Sequence, residues 1–61
     1  MEYADIHYEY KHQTEDAVLI FDGDRNCWIP KSCIENGDIM EFELNTIISV
    51  EEWFAKKEGL I

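Results

Sequence analysis

The feature that most constrains this chain is Ala17-Val18-Leu19-Ile20-Phe21, its longest unbroken apolar run. A run of five residues is far shorter than the roughly 20 needed to cross a bilayer, and its β-branched and aromatic side chains favour an extended backbone. Polar residues bound it on both sides, Gln13 to Asp16 before it and Asp22-Gly23-Asp24-Arg25-Asn26 after it. Asx-turn formers and a glycine between two apolar segments are the makings of a hairpin loop. The run therefore reads as a central strand buried on both faces.

Strand-like patterning continues on either side. Ile6, Tyr8 and Tyr10 alternate with His7, Glu9 and Lys11, which predicts one half-buried strand over residues 5–11, with residues 1–4 frayed. Cys27-Trp28-Ile29 predicts a short or edge strand, because Pro30 has no N–H to donate to a ladder. A single helical turn led by Ser32 and a tight turn at Asn36-Gly37 then lead to a fourth strand over residues 39–44, where Met40, Phe42 and Leu44 share a face. Ser49-Val50-Glu51-Glu52 has the pattern of a capping box, which predicts a helix from Val50 to Glu58 with Lys56 and Lys57 at its negative end and Gly59 beyond it. The expected fold is α+β: one small twisted antiparallel sheet of four or five strands, curled toward a barrel, with a short C-terminal helix over one face. Its expected core is Tyr8, Leu19, Phe21, Ile29, Phe42, Leu44, Trp53 and Phe54.

Length and charge limit what such a fold can do. Sixty-one residues make one domain, residues 1–61, whose eight aromatic side chains supply a core without staples. Fourteen acidic against five basic residues give 5 − 14 = −9, which argues against direct binding to nucleic acid or an anionic membrane. The N-terminal MEYADIHYEY has neither the basic nor the apolar region of a secretory signal, and two cysteines are too few for a disulfide framework, so a reducing cytoplasm is the expected setting.

The chemical motifs are incomplete. Asp22-x-Asp24-x-Asn26 copies the first half of a calcium loop, but Cys27 stands where the sharp turn needs glycine and Cys33 where a bidentate glutamate is required. Cys27, Cys33, His7 and His12 offer zinc donors, yet the cysteines are six apart and straddle Pro30. A Cys/His nucleophile lacks an orienting third group. No catalytic, cofactor-binding or metal-ligating residue is assigned. The carboxylates carry more weight: Glu41 and Glu43 on the fourth strand, Glu51 and Glu52 at the helix start, and Asp22 with Asp24 in a turn offer several members of a negative surface that imitates nucleic-acid phosphates. Trp28 and Lys31 add an aromatic anchor and a cation.

The set Thr14-Glu15-Asp16-Ala17-Val18-Leu19, a short hairpin, Trp28-Ile29-Pro30-Lys31-Ser32 and Trp53-Phe54-Ala55-Lys56-Lys57-Glu58-Gly59-Leu60 resembles small uncharacterised proteins encoded by phages, prophages and plasmids. The likeness spans residues 14–61, departs at Cys33 where those proteins carry Gln, and implies a mobile-element setting without transferring functional residues. The expected function is a non-enzymatic module that inhibits or assists a protein partner by occluding a basic, nucleic-acid-binding surface. The candidate contacts are Trp28, Lys31, Glu41, Glu43, Glu51 and Glu52. The alternatives are a small barrel stacking single-stranded nucleic acid on Trp28, Tyr8 or Tyr10, and self-association through open sheet edges.

Overall fold

The apolar run does form a strand at the centre of a sheet. A computed structural model describes residues 2–61 in the order β1 (Tyr3–His7), β2 (Glu9–Gln13), β3 (Ala17–Phe21), β4 (Asn26–Pro30), 3₁₀ turns at Lys31–Cys33 and Phe42–Leu44, β5 (Ile47–Glu51) and α1 (Glu52–Lys57). The class is α+β, with two antiparallel sheets: β1 pairs with β5, and β2, β3 and β4 form the other in that order. The sheets do not close into a barrel. Beyond the chain itself, the isolated bridge Ile34–Val50 and a 2.9 Å bond from Glu35 N–H to the Ser49 carbonyl link the segment after β4 to β5.

The strand expected over residues 5–11 is divided at Tyr8, which belongs to neither sheet. Its backbone N–H donates to the Thr46 carbonyl at 2.9 Å, extending the β1–β5 register by one residue, and the next residue, Glu9, already pairs with Phe21 of β3. The Tyr8 side chain is buried, and its hydroxyl donates to the Phe42 carbonyl at 2.6 Å. The same extended segment thus serves both sheets, which a single alternating pattern does not reveal. Within residues 1–4, expected to be frayed, the described residues make backbone bonds. Tyr3 and Ala4 pair with Glu51 and Val50, and the Glu2 carbonyl accepts from Glu52 N–H; Met1 lies outside the described residues.

Two further expectations are corrected. Residues 39–44 form no strand. Phe42 is fully buried at the start of a 3₁₀ turn, while Ile39 and Leu44 are 75% and 73% exposed, so one aromatic anchors the loop and the alternation around it is incidental. The capping box is not made either. Val50 is fully buried in β5 between Ala4 and Ile34, α1 starts at Glu52 after Glu51 without a side-chain cap, and Ser49 Oγ donates to Asp5 Oδ1 instead. Burying Val50 in a strand outweighs a cap worth about 1 kcal/mol.

The loops follow their local chemistry. Asp22 Oδ1 accepts from the N–H groups of Asp24 and Arg25, and Gly23 takes φ 102°, closing the β3–β4 hairpin as expected. Gly37 is needed for close approach: a Cβ there would strike the Lys31 carbonyl oxygen. Helix α1 packs Phe54 and Ala55 against β5 and β1, and among the described residues no helix is long and apolar enough to cross a membrane. The core comprises Ile6, Tyr8, Val18, Ile20, Ile29, Ile34, Phe42, Ile48, Val50 and Phe54 with small neighbours; Leu19 and Phe21 are only half-buried, and Leu44 and Trp53 are exposed.

The joint between the sheets makes a stability prediction. Tyr8→Phe deletes the buried hydroxyl and leaves the Phe42 carbonyl only its longer 3.4 Å bond from Asn45 N–H, at an expected cost of about 0.5–1.5 kcal/mol by urea unfolding. Phe42→Ala removes both ring and anchor at about 3–5 kcal/mol, comparable with the whole stability of a domain this size. A Tyr8→Phe variant as stable as the parent would show that the joint is not held by this bond.

Candidate protein interface

Side chains alternate across β3, so Val18 and Ile20 are fully buried on the inner face and Ala17, Leu19 and Phe21 turn outward. The central strand is therefore buried on one face only, because α1 lies against the other sheet and, among the described residues, no helix packs on this one. The register sets the outer face. Leu19 lies between His12 and Trp28, Phe21 between Glu9 and Asn26, and Ala17 beside Pro30. A register shift between Tyr10 and His12 lets Lys11 and His12 reach that same face. Lys11 Nζ stands 5.5 Å from the centroid of Phe21 and 3.4 Å from Glu9 Oε1, and the His12 ring meets Trp28 edge-on at 6.3 Å.

The result is an apolar strip, Leu19, Phe21, Trp28 and Pro30, in which Trp28 is 48% exposed. Acidic turns close both ends of the sheet: Glu15 and Asp16 join β2 to β3, and Asp22 and Asp24 join β3 to β4. The backbone N–H groups that bond to Asp22 hold its carboxyl below the usual aspartate range. An apolar centre with a charged margin is the anatomy of a protein interface.

The residues singled out in the sequence fall into separate groups. Trp28 is at the centre of the strip. Lys31, just past β4, donates from Nζ to Gln13 Oε1 at 2.9 Å and lies 5.7 Å from the Phe42 centroid, while Gln13 Nε2 donates to Glu43 at 3.0 Å. Lys31 and Glu43 are thus bridged by Gln13 at one end of the sheet, and Glu41 is exposed beside them in sequence. Glu51 is the last residue of β5 and Glu52 the first of α1. Glu51 accepts from the Trp53 indole at 2.7 Å, and Glu52 pairs with Lys56 at 3.0 Å. Of the six carboxylates from which one surface was expected, Glu41 and Glu43 therefore precede β5 in the chain, Glu51 and Glu52 stand at its end, and Asp22 and Asp24 close the β3–β4 hairpin. Sequence reasoning missed Leu19, Phe21, Lys11 and His12. Leu19 and Phe21 are masked inside an all-apolar run, and Lys11 joins His12 only through the register shift.

The cysteines have a different character. Cys27 and Cys33 are free and buried, and burial, followed by the nearby carboxylates Glu58 and Glu51 respectively, pushes both thiols up. Neutral thiols in such surroundings are poor nucleophiles. Among the described residues no three His, Cys, Asp or Glu side chains are grouped to hold a metal ion. Comparisons with protein-family models, curated proteins and solved structures found no match.

These shifts predict alkaline sensitivity. Burial also raises the Tyr8 phenol, so the fold favours the neutral forms of Tyr8, Cys27 and Cys33. Their contribution is complete below the unfolded values, 9.0 for the thiols and 10.0 for the phenol, and is lost as pH rises through the higher folded values. The thermal midpoint by circular dichroism should fall as pH rises beyond about 9, and fall less in a Cys27→Ala, Cys33→Ala double variant. A midpoint unchanged up to about pH 11 would contradict this.

Proposed function

We propose that the chain is a non-enzymatic protein-interaction module, an inhibitor or accessory factor of the kind phages and mobile elements encode, that occludes a basic surface of a nucleic-acid enzyme or regulator in a reducing cytoplasm. The observation that carries this reading is the uncovered outer face of β2, β3 and β4, an apolar strip around Trp28 between two acidic turns. The net charge of −9 steers encounter with a cationic partner, and desolvation of Trp28, Leu19 and Phe21 supplies most of the affinity. Glu43 and Glu41 extend the negative margin at the Lys31 end, and Glu51 and Glu52 belong to a separate acidic region.

A second reading has one observation in its favour. Lys11 and His12 share the face with the rings of Phe21 and Trp28, a combination that stacks single-stranded bases. The acidic turns at both ends oppose a phosphate backbone, and self-association of this face meets the same repulsion.

Capture from a nuclease-treated bacterial lysate separates the readings. Immobilised protein is expected to retain one basic nucleic-acid-binding protein, released by salt and competed by DNA, and Trp28→Ser is expected to weaken binding by about 30-fold. Retention unaffected by Trp28→Ser would overturn the assigned face. Quenching of tryptophan fluorescence by oligonucleotide alone, weakening steeply with salt, would replace the proposal with direct nucleic-acid binding.

A further inference from the structure

Beside the apolar strip, where the chain passes from β1 to β2, an open groove of about 260 Å³ is lined by His7, Tyr8, Glu9, Phe21, Asp22 and Gly23. It is smaller than the roughly 300–1,000 Å³ of a typical small-molecule pocket, and of a size for one side chain. Its chemistry is specific: Phe21 is flanked by Glu9, its partner in the β2–β3 register, and by Asp22, the next residue along the chain. The protein already seats a cation on part of this arrangement, because Lys11 Nζ lies over the Phe21 ring and against Glu9 Oε1. Lys11 is not among the residues that line the groove, whereas Phe21, Glu9 and Asp22 are. The hydrogen bonds that Asp22 accepts from Asp24 and Arg25 run through Oδ1 and fix the carboxylate beside the groove. A second groove, formed by Glu2, Glu52, Trp53 and Lys56, has the same aromatic and acidic makeup, but there the paired cation, Lys56, itself lines the groove.

We propose that the groove at Phe21 receives one arginine side chain of the basic partner, its guanidinium stacked on the Phe21 ring and paired with Glu9 and Asp22. Charge complementarity selects the occupant, and the planar guanidinium suits a ring flanked by carboxylates better than a compact ammonium does. The identity of the partner rests on the interaction-module reading, whereas the groove's preference for arginine does not. Arginine insertion would fix the orientation of the partner on the adjoining Trp28 strip.

The full-length ¹⁵N-labelled protein, titrated with acetyl-Gly-Arg-Gly-amide and with the neutral citrulline peptide of the same shape, tests the groove alone. Amide shifts with the arginine peptide are expected to centre on residues 7–9 and 21–24. Binding should be about 1.5- to 5-fold weaker in Glu9→Gln and in Asp22→Asn, the second of which keeps the turn-forming acceptor. Equal shifts with citrulline, shifts as large at Glu15 and Asp16, or affinities unchanged in both folded variants would overturn the proposal. If the titration succeeds while no partner is captured, the module reading fails and the groove stands; the opposite pattern removes only the groove.

Discussion

The hydrogen bond from the Tyr8 hydroxyl to the Phe42 carbonyl is the contact on which the rest of the architecture depends. It buries a polar group at the one residue where the chain leaves the β1–β5 pair and enters the three-stranded sheet, and it satisfies donor and acceptor together. The same bond ties the long loop before β5 to the core. Phe42, fully buried, holds that loop together with Met40, which packs against the core, while Ile39 and Leu44 stay in solvent. Together with the Ile34–Val50 bridge, the Glu35-to-Ser49 bond and the shared core, this tie sets how the two small sheets sit against each other.

That division also determines which surfaces are left uncovered. The only α-helix among the described residues follows β5 directly and spends Phe54 and Ala55 on the two-stranded sheet. The three-stranded sheet therefore keeps a dry inner face, Val18, Ile20 and Ile29, and a wet outer one that still carries Leu19, Phe21 and Trp28. Solubility alone would favour polar residues at those positions. Acidic turns lie at both ends of this apolar strip, and such charge complements a cationic surface better than an acidic one.

Elements specified by their neighbours in sequence were legible, and those specified across space were not. The β3 run and the Asp22-to-Arg25 hairpin follow from short-range chemistry: branched side chains, an Asx acceptor and a glycine. So did the short strand ending at Pro30 and the 3₁₀ turn after it. The break at Tyr8 was hidden because its side chain keeps the alternating phase of residues 5–11 while its partners lie near residues 42 and 46. Ser49 to Glu52 satisfies a local helix-start pattern, but Val50 is claimed by Ala4 and Ile34, far away in sequence. For the candidate site, Trp28 could be singled out as an aromatic beside a strand-ending proline. Its companions Leu19 and Phe21 could not, since a uniformly apolar strand does not say which face remains uncovered.

Two exposed tryptophans, Trp28 on the three-stranded sheet and Trp53 on α1, make the central claim open to a direct comparison. The measurement is site-specific photo-crosslinking in a bacterial lysate, with a benzoylphenylalanine at position 28 in one sample and at position 53 in another. The outer face of the three-stranded sheet predicts a single crosslinked product with a basic protein from position 28 and background from position 53. A product from position 53 alone would place the interface on the β1, β5 and α1 side and contradict the account.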